Sequence, residues 1–382
     1  MTRMVGIGSR EALQLGFSHF LIDSQMALLA VSMPFLIRDL GLTLSEAGVV
    51  VGASVLFAAA PQPATGHLSD RVSRKSMLVL GLIICGVGSV LTSRSPNFFE
   101  LLIFQCIVGV SSSIFHPLGY SLTSYLSDLA YRGRALGFLS GSGDLGMLAT
   151  FSSTGPLAAA FGWRAVFLAW GFLVLGFSVV FAFLGSIGDS YQKRKGGPRG
   201  GEILRRIAPE LVFMVLLSLV NRIFLSFLPT YLSEMGVAEA SAAIFLGALV
   251  SLGILGELIG GSLTDKFGPR VTISTLMALL TLVSFSIYLV GSGNLLPLIT
   301  AVAGFPMFAT YPCIYSATSQ VAGESRGAAY GLLISVGWIG SAFGPPIAGA
   351  LGDLYGLSVV FVLVMIVSLI ASSFAARFLK IH

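Results

Sequence analysis

"GHLSDRVSRK" at residues 66–75 returns 195 residues later as "GSLTDKFGPR" at 261–270. Gly66 falls on Gly261, Asp70 on Asp265 and Arg71 on Lys266. The same spacing lays "PFLIRDLG" (34–41) on "PTYLSEMG" (229–236) and "HPLGYS" (116–121) on "YPCIYS" (311–316). After one deletion, "RG" at 132–133 meets "RG" at 326–327. Four registrations at one spacing are an internal duplication. Two parallel repeats facing a central site are a transporter architecture.

Composition says what surrounds the repeats. Of 382 residues, 55% are hydrophobic and 10% charged, with mean hydropathy +0.91. A soluble domain carries roughly 25% charged residues. A span needs about 20 apolar residues, and the chain offers twelve such runs: 13–37, 46–67, 76–94, 98–127, 135–160, 164–187, 208–232, 240–262, 271–291, 294–321, 328–351 and 357–378. The expected fold is an all-α polytopic membrane protein of two six-helix bundles. Residues 1–188 form the first, 208–382 the second, and the basic, glycine-rich stretch 189–207 links them. The first run is too long for a cleavable signal and is expected to serve as an uncleaved insertion signal.

Lys and Arg divide 18 to 3 between the side bearing the termini and linker and the opposite side, with Arg222 left inside a span. The positive-inside rule then places both termini in the cytoplasm, with the chain in the cytoplasmic (inner) membrane. The basic pI of 9.2 reflects topology, so no nucleic-acid partner is expected. Cys85, Cys106 and Cys313 sit far apart in apolar spans and read as small buried hydrophobes rather than a disulfide or metal set.

The loop 66–75 resembles the major facilitator superfamily signature G-x-x-x-D-[RK]-x-G-[RK]-[RK], and 261–270 echoes it. The chain departs at Ser73, where the signature has glycine, and at Pro269, where it has a base; each copy keeps what the other lost. The resemblance implies that Gly66, Asp70, Arg71, Arg74 and Lys75, with Gly261, Asp265, Lys266 and Arg270, act as a conformational latch rather than a binding site. "SHFLIDSQMALLAVSMPFL" (18–36) and "SSIFHPLGYS" (112–121) are similar to fosmidomycin-resistance-type drug exporters, which implies drug-type export. Gly155–Pro156 loosely resembles an antiporter signature, although Ala158 and Ala159 stand where glycines are expected. Gly155–Pro156 and Gly344–Pro345 are expected to let the fifth and eleventh spans pack and bend.

Ionisable groups inside spans cost a few kcal/mol each and mark function by default. His19 and Asp23, four apart, share one helix face. His116 precedes Pro117 in mid-span, and proline removes a helical hydrogen bond. That pair reads as a kinked cavity wall bearing a proton acceptor, since the repeat keeps the proline but replaces His116 with Tyr311. Asp144, in "SGSGDLG", needs a partner, while Arg222 and Asn221 offer a cation and an amide from the second half. Asp23, His116, His19 and, less centrally, Asp144 are therefore the expected proton carriers. Arg222, Asn221, Gln25, Phe115, Tyr120, Tyr311, Tyr315 and Trp338 are expected to contact substrate. Phe17, Phe20, Phe224 and Phe227 are further aromatics that either line the cavity or simply pack.

No nucleotide-binding G-x-x-x-x-G-K-[ST] occurs, and no cofactor or enzymatic activity is expected. The sequence points to a monomeric secondary transporter exchanging protons for a small organic solute. Three rivals use the same residues: proton symport importing an organic anion; export of a divalent metal held by His19, Asp23 and His116; and a membrane-embedded enzyme or sensor, which would need an extra catalytic or signalling domain or a metal-hydrolase motif that the sequence does not show.

Overall fold

A computed structural model describes residues 8–68, 72–127, 132–184, 187, 200–291, 295–322 and 326–379. Sixteen α-helices and no strand occur among them: α1 Ser9–Leu40, α2 Leu44–Ala59, α3 Gln62–Leu68, α4 Arg74–Thr92, α5 Phe98–Leu126, α6 Arg132–Phe161, α7 Trp163–Leu184, α8 Gly200–Arg206, α9 Ala208–Glu234, α10 Glu239–Phe267, α11 Pro269–Val290, α12 Leu296–Val302, α13 Gly304–Ala322, α14 Arg326–Ala342, α15 Gly344–Tyr355 and α16 Ser358–Phe378. Eleven described segments are long and apolar enough to cross a membrane. The fifth expected span, α6, has the length but is diluted by glycine, serine, threonine and Asp144. Three expected spans are interrupted: the second at Pro61, the tenth at Ala303 and the eleventh at Phe343, just before Gly344–Pro345–Pro346. The fifth continues through Pro156.

Two compact units form: Met1–Leu40 with Ala53–Lys193, and Gly41–Gly52 with Arg194–His382. The first turns of α2 thus group with the second unit.

Within each unit the same helix pairs recur. In the first, α1 packs on α6 and α4 on α7; in the second, α9 packs on α14 and α11 on α16. The duplication reaches single contacts. A Cβ on Gly109 would strike the Ser54 carbonyl, and a Cβ on Gly304 would strike the Leu249 carbonyl, both residues 195 further on. Small residues let membrane helices approach backbone to backbone, where dispersion replaces the missing hydrophobic drive.

Pro117 does not break α5. It cannot donate to the Ser113 carbonyl one turn earlier, and the Thr65 hydroxyl on α3 donates there instead, at 2.7 Å. At one end of α1, Asp39 accepts from the Trp163 indole at 3.0 Å and from Arg38 at 3.1 Å, while Arg164 lies 4.2 Å over the Trp163 ring. These contacts tie α1 to the start of α7.

Overpacking a close contact costs about 1–3 kcal/mol. Gly109→Val and Gly304→Val are expected to lower the thermal midpoint of the detergent-purified chain similarly, by several degrees, in fluorescence-detected size-exclusion melts. Gly176→Val, where a Cβ meets nothing, is expected to leave it unchanged.

Candidate functional site

His19 and Asp23 project from α1, His116 from α5, and all three meet inside the first unit. His19 Nε2 lies 3.2 Å from Asp23 Oδ2 and His116 Nε2 lies 3.5 Å from Asp23 Oδ1. The opposite ring nitrogens orient the rings. His19 Nδ1 is 2.7 Å from the Leu139 carbonyl on α6. A carbonyl only accepts, so this Nδ1 carries hydrogen, and His19 Nε2 turns toward the carboxylate with a lone pair unless a further proton sits there. His116 Nδ1 is 3.0 Å from both the Ser112 carbonyl and the Ser112 hydroxyl; it donates to the first or accepts from the second, so either tautomer fits. One or two protons in these gaps turn repulsion into charge-assisted hydrogen bonds.

The walls of the cluster are aromatic and small. Phe115 stacks on His19 with centroids 5.2 Å apart, and Tyr120 lies 5.8 Å from His19 and 6.4 Å from His116. Phe115 is almost fully buried. A Cβ on Gly143 of α6 would stand 2.8 Å from His19 Cε1 and against Asp23 Oδ2. Asp144, the next residue, is half-buried and near enough for its charge to act on His19 and Asp23. No base forms an ion pair with it among the described residues. Gln25, one half-turn beyond Asp23, is buried with neither amide atom partnered.

The remaining polar candidates belong to the second unit. Asn221 is buried; its Nδ2 donates to the Leu217 carbonyl at 2.9 Å, while Oδ1 has no partner. Tyr311 is half-buried on α13, within reach of the charges of Arg222 and Glu257. A ladder of rings runs Phe308, Tyr311, Tyr315 and Tyr330 at centroid spacings of 6.4, 6.5 and 5.8 Å. Trp338 is half-buried on α14. Two aromatics are packing residues: Phe224 and Phe227 are buried, and Phe224 meets Phe361 edge-on at 5.3 Å. Phe17 is 40% exposed, stacked on Phe20.

Residues 15–341 match the family model of the Major Facilitator Superfamily. The chain belongs to that superfamily. It is a multi-pass membrane transporter. The quinolone resistance protein NorA of Staphylococcus aureus is 28% identical over 91% of both chains. A probable sulfoacetate transporter of Cupriavidus necator is 27% identical over 63% of this chain, which spans 61% of that protein's length. The crystal structure of a bacterial homolog of the human lysosomal transporter Spinster, inward-facing and unoccupied, superimposes with TM-score 0.84 over 97% of both chains at 18% identity.

The superfamily's signature loops are only partly described. Asp70 and Arg71 lie outside the described residues. Ser73 caps α4 ahead of the buried Arg74, with Lys75 beside it, and Gly66 lies near the end of α3. In the second copy, Gly261, Asp265 and Lys266 occupy the last turns of α10; Gly268, at φ +78°, ends that helix, and Pro269 and Arg270 open α11. Proline at a first helical position loses no hydrogen bond, which explains the departure at Pro269.

Glu257 on α10 is the residue sequence reasoning passed over. A carboxylate in an apolar run marks it by the same rule as Asp144, but it sits close to the signature loop and reads there as part of the helix end. One ligand atom from each of His19, Asp23 and His116 lies within 4.8 Å of the other two, a set that fits protons or a small cation.

Gly143→Ala forces Asp23 and His19 apart, while Gly141→Ala meets nothing. In pH-difference infrared spectra of the purified transporter, Gly143→Ala is expected to move the titration of the Asp23 carboxylate by about one pH unit or more. Gly141→Ala is expected to leave it in place.

Proposed function

We propose that this transporter exports a small organic solute in exchange for protons, as a monomer in the cytoplasmic membrane with both termini in the cytoplasm. The carrying observation is the His19–Asp23–His116 cluster, in which two imidazoles turn their Nε2 atoms to one half-buried carboxylate. Such a group exchanges protons as its exposure to each side alternates. The 18 to 3 bias of basic residues supports the orientation. Similarity to a quinolone resistance protein and to the fosmidomycin-resistance-type pattern supports export.

In this reading Asp23 carries the proton, His116 and His19 share it, and Asp144 sets the field around them. Gln25, with its unpartnered amide, contacts the solute from another face of α1. Arg222, Asn221, Tyr311, Tyr315 and Trp338 contact it from the second unit, with Tyr120 and Phe115 on the cluster's aromatic side. The signature loops change partners as the conformation alternates.

A second reading is proton-driven import of an organic anion. It is favoured by Arg222 within a span and by likeness to a probable sulfoacetate transporter.

Proteoliposomes carrying an internal pH dye test these readings with ethidium, norfloxacin, sulfoacetate and Zn²⁺ as probes. Proton movement opposite to norfloxacin or ethidium, reduced at least about tenfold in Asp23→Asn and His116→Gln, is expected. Protons moving with sulfoacetate establish the second reading, and Zn²⁺ flux without an organic probe establishes metal export. Unchanged coupling in both variants removes the cluster from the mechanism.

A further inference from the structure

Three serines in a row, Ser111, Ser112 and Ser113, lie buried on α5 about one turn before His116 and Pro117. Two of them fold back on the helix: Ser111 donates to the Val108 carbonyl at 2.6 Å, and Ser113 to the Val110 carbonyl at 2.8 Å. The hydroxyl of Ser112 turns instead to the ring of His116, with Oγ 3.0 Å from Nδ1. Its neighbours show that a hydroxyl on this helix has a carbonyl of its own turn to return to, so the turn toward the ring is not forced by the helix. The Ser112 carbonyl also lies 3.0 Å from Nδ1. Nδ1 thus meets one group that only accepts and one that can also donate.

The needs of Asp23 decide between them. A carboxylate drawn out of water is costly without hydrogen-bond donors, and among the described residues the partners of Asp23 are the two imidazoles. Once the exchangeable proton has left, neither ring is charged and each has one hydrogen to place. That of His19 is on Nδ1, held by the Leu139 carbonyl at 2.7 Å, so this ring presents a lone pair to Asp23 Oδ2. The donor must then come from His116, with its hydrogen on Nε2, 3.5 Å from Asp23 Oδ1. That tautomer leaves a lone pair on Nδ1, and the Ser112 hydroxyl is placed to donate to it. With hydrogen on Nδ1 instead, both rings would turn lone pairs on one carboxylate.

We propose that Ser112 is a positioning residue for proton exchange: its hydroxyl holds His116 with hydrogen on Nε2, which keeps one donor on Asp23 after the cluster has given up its proton. The two rings then divide the work. His19 receives at Nε2, and His116 steadies the emptied carboxylate. This inference rests on the proton-coupling reading for its purpose, while the tautomer itself is measured with neither solute nor gradient.

Nitrogen-15 spectra of the full chain in lipid bilayers, labelled at histidine, test it, because bare and hydrogen-bearing imidazole nitrogens resonate far apart. The chain has four histidines, and His19→Gln and His116→Gln identify their signals by loss. At alkaline pH, His116 is expected to carry its hydrogen on Nε2 and His19 on Nδ1. Ser112→Ala is expected to shift the His116 ratio toward Nδ1 by about fivefold or more, and Ser112→Thr, which keeps the hydroxyl, to hold the parent ratio. In proteoliposomes, norfloxacin-driven proton movement is expected to fall by a similar factor in Ser112→Ala and to be kept in Ser112→Thr. Packing alone would rank these variants the other way, since alanine fits and threonine adds a methyl group. Hydrogen on His116 Nδ1 in the parent, or a ratio unmoved by Ser112→Ala, overturns the positioning role. The expected tautomers together with coupling that survives Asp23→Asn overturn the proposed function and leave the Ser112 bond standing.

Discussion

Hydrocarbon offers no hydrogen-bond partner, so every polar group in a span must find one inside the protein. That constraint makes the spans helical and then dictates what their side chains do. Hydroxyls fold back onto their own helices: Ser18 to the Gln14 carbonyl, Ser24 to Phe20, Ser142 to Phe138, Ser226 to Arg222 and Thr310 to Pro306, at 2.6–2.7 Å. Where proline removes a donor, as at Pro117, the acceptor is served from another helix by Thr65. With polar needs met locally, helices associate through close contact, and glycines such as Gly109, Gly146 and Gly304 set where they touch.

Not every buried polar atom is served in this way. Asp23 is held in the first unit by two imidazoles rather than by a fixed cation such as arginine. An arginine would neutralise it permanently; an imidazole changes charge near physiological pH. Gln25 and the Asn221 Oδ1 are left without protein partners, a cost tolerated where a ligand or water completes the bonding. The duplicated scaffold has also diverged at one position: the proline persists at 117 and 312, while the preceding residue is an imidazole in one copy and a phenol in the other.

Much of this was legible in the residues. The 195-residue repeat, the spans and the facing of His19 and Asp23 follow from periodicity and composition, and the glycines around Asp144 signalled a tight helix contact. Sequence could not show that Gly143 is the residue making room for the cluster, because every glycine in "SGSGDLG" looks alike until the neighbouring helix is placed. Phe224 and Phe227 were indistinguishable from cavity-lining rings, since lipid, core and pocket are all apolar. Glu257 was hidden by its nearness to a loop with its own explanation. The bond from Asp353 to Leu44 and Ser45 spans some 309 residues of chain, and no local pattern announces it. The breaks at Ala303 and Phe343 interrupt runs whose hydropathy is continuous.

The Leu139 carbonyl has one more consequence for His19. A proton crosses an imidazole by arriving at one nitrogen and leaving from the other. In His19 the far nitrogen is already occupied by hydrogen bonded to that backbone carbonyl. The carbonyl cannot pass a proton onward, and a ring flip would break the bond that orients the ring. In the proposed coupling mechanism this ring is thus a terminal rather than a wire: a proton enters and leaves by the face that received it. Such a dead end would insulate the membrane against leakage through His19 while the transporter stands idle.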